Sequence, residues 1–325
     1  MTPHLSMPWL SSVLGTHPVS LALYQMGGVI LALLLLASLI VELLKRARPQ
    51  GDFSSLTQRI KAWWVMVAIF LLSLMIHPKA AVALFALLSF LGLKEFFTLI
   101  HTRVEDHRAL LWAFLAIPVQ YLLIAFNNAP VAWIFIPVYM FLWVPVRLIL
   151  VGQTRGIIDA MARIQWGLMA CVFCISHVPL LLTMRPNPAL PNGPQALLLA
   201  LVFLTEFNDV AQYCWGQSLG RHKISPAISP NKTVEGFWGG VISTTLVAPA
   251  LMFLTGFSFN LSILIGLVIA VAGFCGDLVM SAVKRDVGVK DASQLIPGHG
   301  GMLDRIDSLT FTAPLFYHLV NYVFY

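Results

Sequence analysis

The sequence predicts an all-α, polytopic integral membrane protein of about nine or ten transmembrane helices, and three observations carry that expectation. Of 325 residues, 58% are hydrophobic and only 10% are charged, with a mean hydropathy of +0.83; soluble globular chains carry roughly 25% charged residues. Apolar runs long enough to cross a bilayer recur along most of the chain. Lysine and arginine collect on alternate loops, as the positive-inside rule requires. A soluble globular fold is thereby excluded, and no nucleic-acid partner is expected.

The elements follow in order. Residues 1–20 contain no Lys or Arg, so a cleavable signal's charged start is missing; this apolar, Pro-containing stretch reads as an interfacial segment. The run 21–44 is long enough to stay as an anchor. Further spans are expected at 62–76, 80–93, 109–126, 130–146, 166–184, 195–215, 237–255 and 261–281. The runs 62–76 and 80–93 are short and read together as a helical hairpin about His77-Pro78. A last stretch, 309–325, holds Pro314, His318 and Asn321 and reads as a tenth span or a re-entrant helix. With the N-terminus outside, every Lys and Arg except Lys79 and Arg185 falls on the inner side. No linker, low-complexity tract or repeat divides the chain. One continuous membrane domain is expected, with N-terminal helices over 1–200 and a catalytic region over 201–325, at the cytoplasmic face. Cys171, Cys174, Cys214 and Cys275 all lie in or beside apolar runs and suggest no disulfide framework; the Cys171/Cys174 pair reads as core packing.

Eight of the 14 acidic residues lie from Glu206 onward, and their settings suggest chemistry. Asp277 ends an apolar run, where a carboxylate is expensive unless paired or metal-bound. On a helix it shares a face with Ser281 and Lys284, and Gly273 and Gly276 allow close helix approach. The plain alternative is a helix-end acid paired with Lys284 or Arg285. Asp304 and Asp307, if helical, share a face at i, i+3, a spacing that suits a hard cation such as Mg2+, although acids in a first turn also complement the helix dipole. Between Asp277 and that pair, Pro297-Gly298-His299-Gly300-Gly301 could turn backbone N–H groups toward phosphate, which by itself is weak evidence. A third patch runs from Glu206 and Asp209 through Arg221, His222 and Lys223 to Asn231-Lys232-Thr233. Thr233 fits a helix N-cap, and Lys232 beside that helix start fits an anion; an ordinary basic loop with Ser-Pro turns fits as well. Acids for a divalent cation, several cations and glycine-rich backbone are together the set that phosphoryl chemistry needs.

Those residues resemble a known signature. Ser281-Ala-Val-Lys284-Arg285, Lys290-Asp291, Pro297-Gly-His299-Gly-Gly301 and Asp304-Arg305-Ile-Asp307 look like the defining pattern of the phosphatidate cytidylyltransferases, or CDP-diacylglycerol synthases. Asp209 and Ser229-Pro-Asn-Lys232-Thr233-Val-Glu235-Gly236 are similar to that family's upstream elements. The motifs cover roughly 205–308. One departure stands out: after Asp209 the chain reads Val-Ala-Gln-Tyr213, without the hydroxyl the family more commonly has there and with the Ala–aromatic spacing shifted. This marks a divergent subgroup.

The resemblance implies transfer of CMP from CTP to phosphatidic acid with Mg2+, giving CDP-diacylglycerol and pyrophosphate at the cytoplasmic side of the cell (inner) membrane. Carried over by position, Asp277 and Asp304 would bind metal, in a centre of one or two cations, with Asp209, Asp291 and Asp307 as supporting acids. Lys232, Lys284, Arg285, Lys290 and Arg305 would hold triphosphate or lipid phosphate, and His299 would touch phosphate. Thr233, Ser281, Gly298, Gly300 and Gly301 would line the nucleotide side. The implied partners are CTP, phosphatidic acid and membrane lipids, with a homodimer left open. Three rival readings remain: a CTP-using lipid kinase, a cytidylyltransferase for another lipid phosphate, and a transporter using Asp209 and Asp277 as ion-coupling acids. The last gives no reason for the glycine-rich segment.

Overall fold

Nine helices among the described residues are long and apolar enough to cross a membrane, one at each expected span: α1 (Leu21–Ala47), α2 (Ser54–Ile76), α3 (Pro78–Leu99), α4 (His107–Ala125), α5 (Ala129–Leu150), α6 (Ile157–Thr183), α7 (Gly193–Leu219), α8 (Val234–Thr255) and α9 (Phe259–Asp286). A four-residue turn, α10 (Leu303–Ile306), and a final helix, α11 (Leu309–Phe324), complete the chain. The structure, a computed structural model, describes residues 20–48, 51–100, 103, 106–150, 152, 155–293, 295 and 300–325. The interfacial reading of 1–20, Ser20 apart, and the roles expected of Pro297, Gly298 and His299 lie outside these residues.

The second and third spans are not short. Both are full crossings of 23 and 22 residues joined through His77 alone. His77 Nδ1 accepts the Lys79 N–H at 3.0 Å, and Pro78 takes the first helical position, where its missing N–H is harmless. The hydropathy reading stopped at Arg59, Lys61 and Lys94, but these long side chains carry their charge to the interface while the backbone stays helical.

Buried polar side chains tie the bundle together where no water is at hand. Gln120 on α4 donates to the Ala132 carbonyl on α5 and to Ser176 Oγ on α6, both at 3.0 Å. Helices α5 and α6 each contain a widened π-type turn, Phe135–Met140 and Leu168–Cys174. The first contains Pro137, which has no N–H to give the i→i−4 ladder. Helix α6 is the most buried span and α1 the least, with 67% and 11% of their apolar windows covered. All four cysteines are free, and Cys171 is buried in α6.

Helices α7, α8, α9 and α11 pack as a group at the C-terminal side. Asn208 on α7 is fully buried; it donates to the Ala270 carbonyl on α9 at 3.3 Å and accepts from Thr244 on α8 at 3.2 Å. Thr205 reaches Thr312 on α11 at 3.0 Å. Helix α11 is one continuous helix of 16 residues along α9 and α6, about 24 Å at the helical rise. The fold also holds one feature the all-α reading lacks. Lys223–Ser225 (β1) and Ser229–Thr233 (β2) pair antiparallel as a small hairpin, so Ser229-Pro230 stands in a strand rather than a turn. A two-stranded sheet leaves both strands at an edge, where Pro is tolerated.

Candidate active site

The hairpin reaches over the end of α9. Lys232 on β2 extends to Asp277, Nζ to Oδ2 at 2.6 Å, and its ammonium lies 4.5 Å from the Phe274 ring centre, a cation–π contact. The residues around it fix the hairpin. Thr233 caps α8 by accepting the Gly236 N–H at 3.1 Å, as its sequence position suggests. Glu235 accepts the Arg221 and His222 N–H groups at 3.0 and 3.2 Å and meets His222 Nδ1 at 2.6 Å. The Lys-Thr-x-Glu-Gly run is thus a hairpin-to-helix junction that presents one lysine.

Asp277 keeps its helical neighbour: Ser281 Oγ donates to Oδ1 at 3.1 Å. It does not pair with Lys284 or Arg285. Lys284, 7% exposed, crosses instead to Asp304, Nζ to Oδ1 at 2.5 Å. Arg285 Nε donates to the Ile228 carbonyl at 3.1 Å and its Nη1 to Val289 at 3.0 Å, tying the hairpin to the loop after α9. Asp304 is nearly saturated, since Oδ2 also accepts the Ala292 and Gly301 N–H groups at 3.0 and 2.9 Å.

Two further carboxylates, Asp209 and Asp307, feel the charge of Asp277. Asp209 Oδ2 accepts from Ser308 Oγ at 2.8 Å, and Asp307 Oδ1 accepts the Ser308 N–H at 2.8 Å. Gly276 permits the convergence, because a Cβ there would stand 2.5 Å from the Asp307 carbonyl oxygen. Burial, then the charges of Asp277 and Asp209, hold the Asp307 carboxyl well above the usual carboxylate range, against the opposing pull of Lys284 and Arg305. Glu206 joins this group through Arg305 and Asp307. Arg305 Nε is buried without a hydrogen-bond partner. Lys290 and Asp291 are exposed on the loop.

The glycines of the loop meet carboxylates. Gly300 has φ +81°, and a Cβ on it would stand 2.7 Å from Asp304 Oδ2. At Gly301 a Cβ would stand 2.4 Å from Glu95 Oε2. Glu95, on α3, accepts Ser293 Oγ and the Met302 and Leu303 N–H groups, and sequence reasoning passed it over. The available signal was the one that exposed Asp277, an acid closing an apolar run. Ser308, which bridges Asp209 and Asp307, carried no such signal.

Among the described residues, no three His, Cys, Asp or Glu side chains stand ready around one point for a metal ion. The donor chemistry nevertheless fits a hard cation. Asp277, Asp209 and Asp307, with the hydroxyls of Ser281 and Ser308, offer oxygen alone, and the crowding of negative charge about Asp307 is what a divalent cation would relieve.

The sequence profile of the cytidylyltransferase family matches residues 57–323. The chain belongs to the cytidylyltransferase family. It is 44% identical over 296 residues to the "Uncharacterized protein YnbB" of Escherichia coli (strain K12), a match covering 90% of this chain and 97% of that protein. It is also 46% identical over 117 residues to the phosphatidate cytidylyltransferase of Staphylococcus aureus (strain COL), covering 35% of this chain and 44% of that enzyme. A Staphylococcus epidermidis phosphatidate cytidylyltransferase matches over 128 residues at 43%, covering 38% of this chain and 48% of that enzyme. The chain thus spans about half the length of the named enzymes it matches. For this cytidylyltransferase-family chain, the likeness fits a divergent member.

Proposed function

We propose that this family member transfers CMP from CTP to phosphatidic acid, releasing pyrophosphate and forming CDP-diacylglycerol. The observation that carries the reading is the pair of lysine–carboxylate contacts, Lys232–Asp277 and Lys284–Asp304, beside the half-buried Asp209 and the buried Asp307. A lipid phosphate oxygen attacks the α-phosphorus of CTP, the bond to the β-phosphate oxygen breaks, and pyrophosphate leaves with that electron pair. A phosphate monoester is mostly ionised near pH 7, so no residue has to remove a proton. The protein's task is to let two anions meet. Two unit charges about 4 Å apart repel by about 4 kcal/mol at an effective dielectric of 20.

Lys232 and Lys284 are suited to that task because a flexible stem lets each ammonium leave a carboxylate for a phosphate oxygen. Arg305, whose Nε is unpartnered, supplies a further cation. Asp277 would hold Mg2+, with Asp209 and Asp307 beside it and Asp304 available once Lys284 turns away; the ion would supply positive charge against the phosphates. Gly300 and Gly301 keep the loop backbone close to Asp304, and the nucleotide lies on that side. The site is proposed to face the cytoplasm of the bacterial inner membrane, with the N-terminus outside. Support comes from the charge asymmetry, which sets Lys79 and Arg185 apart from all other Lys and Arg.

The Asp209-Val-Ala-Gln-Tyr213 departure supports a second reading, in which the acceptor is another lipid phosphate. One assay separates these. Purified protein in detergent receives labelled CTP, Mg2+ and phosphatidic acid or another phospholipid monoester. CDP-diacylglycerol and pyrophosphate in equal amounts are expected. A different CDP-lipid favours the second reading. Release of CDP with a phosphorylated lipid means a kinase and refutes both.

A further inference from the structure

We propose that Gly92 and Glu95 on α3 form a seat that sets the position of α10, making Glu95 a positioning residue for the transfer reaction; the inference rests on the reading under Proposed function. The two residues lie at i, i+3 and share a face. Gly92 receives Ile306, and a Cβ in its place would stand 2.6 Å from Ile306 Cδ1. One turn on, Glu95 is 7% exposed. Its Oε1 accepts Ser293 Oγ at 2.6 Å and the Met302 N–H at 2.9 Å, and its Oε2 accepts the Leu303 N–H at 2.8 Å.

Those two N–H groups open α10, a turn of four residues. N–H groups at a helix start have no carbonyl partner within the helix, and so short a turn does not hold its shape unaided. Asp304 and Arg305 belong to this turn and Asp307 follows it directly. From the opposite side the bare backbone of Gly276 meets the Asp307 carbonyl. The segment bearing these three charged residues is therefore gripped between α3 and α9. Glu95 touches none of the charged side chains proposed to hold phosphate or metal; it acts through the backbone that carries them. The seat also joins the N-terminal helices to the catalytic region across the division expected at residue 200.

The test uses the full chain in detergent with CTP, phosphatidic acid and Mg2+. Glu95→Ala is expected to lower kcat on the order of 100-fold, the scale of an ångström's misplacement, with both KM values within about 3-fold. Amide hydrogen exchange at Met302 and Leu303 is expected to accelerate. Glu95→Gln keeps one carbonyl oxygen for Ser293 and Met302 and is expected to recover roughly a tenth of wild-type kcat. Ser293→Ala removes the bond to Glu95 together with the Leu295 N–H bond to the same hydroxyl, and its effect on kcat is expected to shrink in the Glu95→Ala background, because coupled residues are not additive. Unchanged exchange, or faster exchange with wild-type kcat, overturns the proposal. So does lost activity matched by an equal loss of folded protein, with kcat per folded molecule unchanged. Should the wild type form no CDP-lipid, the reaction reading fails on its own, while exchange at 302 and 303 still decides whether Glu95 holds the turn.

Discussion

Replacing Gly276 by alanine separates what the α9–α10 contact does for stability from what it does for rate. A Cβ at 276 would lie 2.5 Å from the Asp307 carbonyl oxygen, 3.2 Å from Phe311 Cδ2 and 3.3 Å from Ser308 Cα. The first contact is with backbone, so relief requires the 307–308 segment to retreat by about 0.5–1 Å, to where repulsion gives way to ordinary van der Waals contact. Overpacking of this kind costs about 1–3 kcal/mol. Alanine in a helix interior returns about 1 kcal/mol relative to glycine, so the net loss of stability is at most about 2 kcal/mol. Turnover is far more sensitive, because the retreat parts Asp307 from Asp277, and a displacement near 1 Å lowers rate on the order of 100-fold. The measurement is a pair: thermal melting in detergent and CDP-lipid formation per folded molecule. Gly28→Ala on α1 is the control, since a Cβ there meets nothing within 4 Å; it should melt no lower than wild type and turn over normally. A Gly276→Ala protein with wild-type turnover would refute the argument that this contact sets the spacing of the acids.

Lys284→Met should destabilise by about 3 kcal/mol, the lower range for stranding a buried charge, because Asp304 keeps two backbone N–H partners; adding Asp304→Asn should restore the melting temperature but not activity. Asp277→Ala should abolish turnover while the protein stays folded in membranes, and activity lost to a chelator should return with added Mg2+ in the wild type alone. Asp307 carries a folded-state pKa raised by burial and by Asp277, so the native state holds its proton more tightly than the unfolded chain. Its contribution is full below the unfolded value near 3.9 and is lost as pH rises toward the folded value. In chelator, Asp307→Asn should therefore melt higher than wild type at pH 8, and the difference should close toward pH 4; a wild type as stable as the variant throughout would show that Asp307 is not crowded.

The nine crossings were legible because each is an apolar run, and hydropathy reads runs well. Their ends were less so: α2 and α3 continue past Arg59, Lys61 and Lys94 because long side chains move a charge without ending a helix. At the site, spacing on α9 correctly aligned Asp277 with Ser281. It could not reveal that Lys232 from a hairpin, rather than Lys284 two turns along the same face, would meet that carboxylate, since helical periodicity fixes which side a residue occupies and not which distant segment arrives there. The same limit hid Glu95. Its partners are backbone N–H groups some two hundred residues away, and backbone groups leave no mark in sequence. The glycines beside Asp304 were noticed as room for phosphate; the structure fills that room with two carboxylates of the protein itself.

Helix α1 shows how unevenly packing can constrain one chain. It lies ahead of the family-matched stretch that begins at residue 57, and only 11% of its apolar window is covered by protein. Side chains such as Leu35, Leu36 and Leu39 look outward, where fluid acyl chains accept leucine, isoleucine, valine or phenylalanine alike. Such positions can exchange one apolar residue for another at little cost, while Gly92 and Gly276, hemmed in by neighbours, have no such latitude.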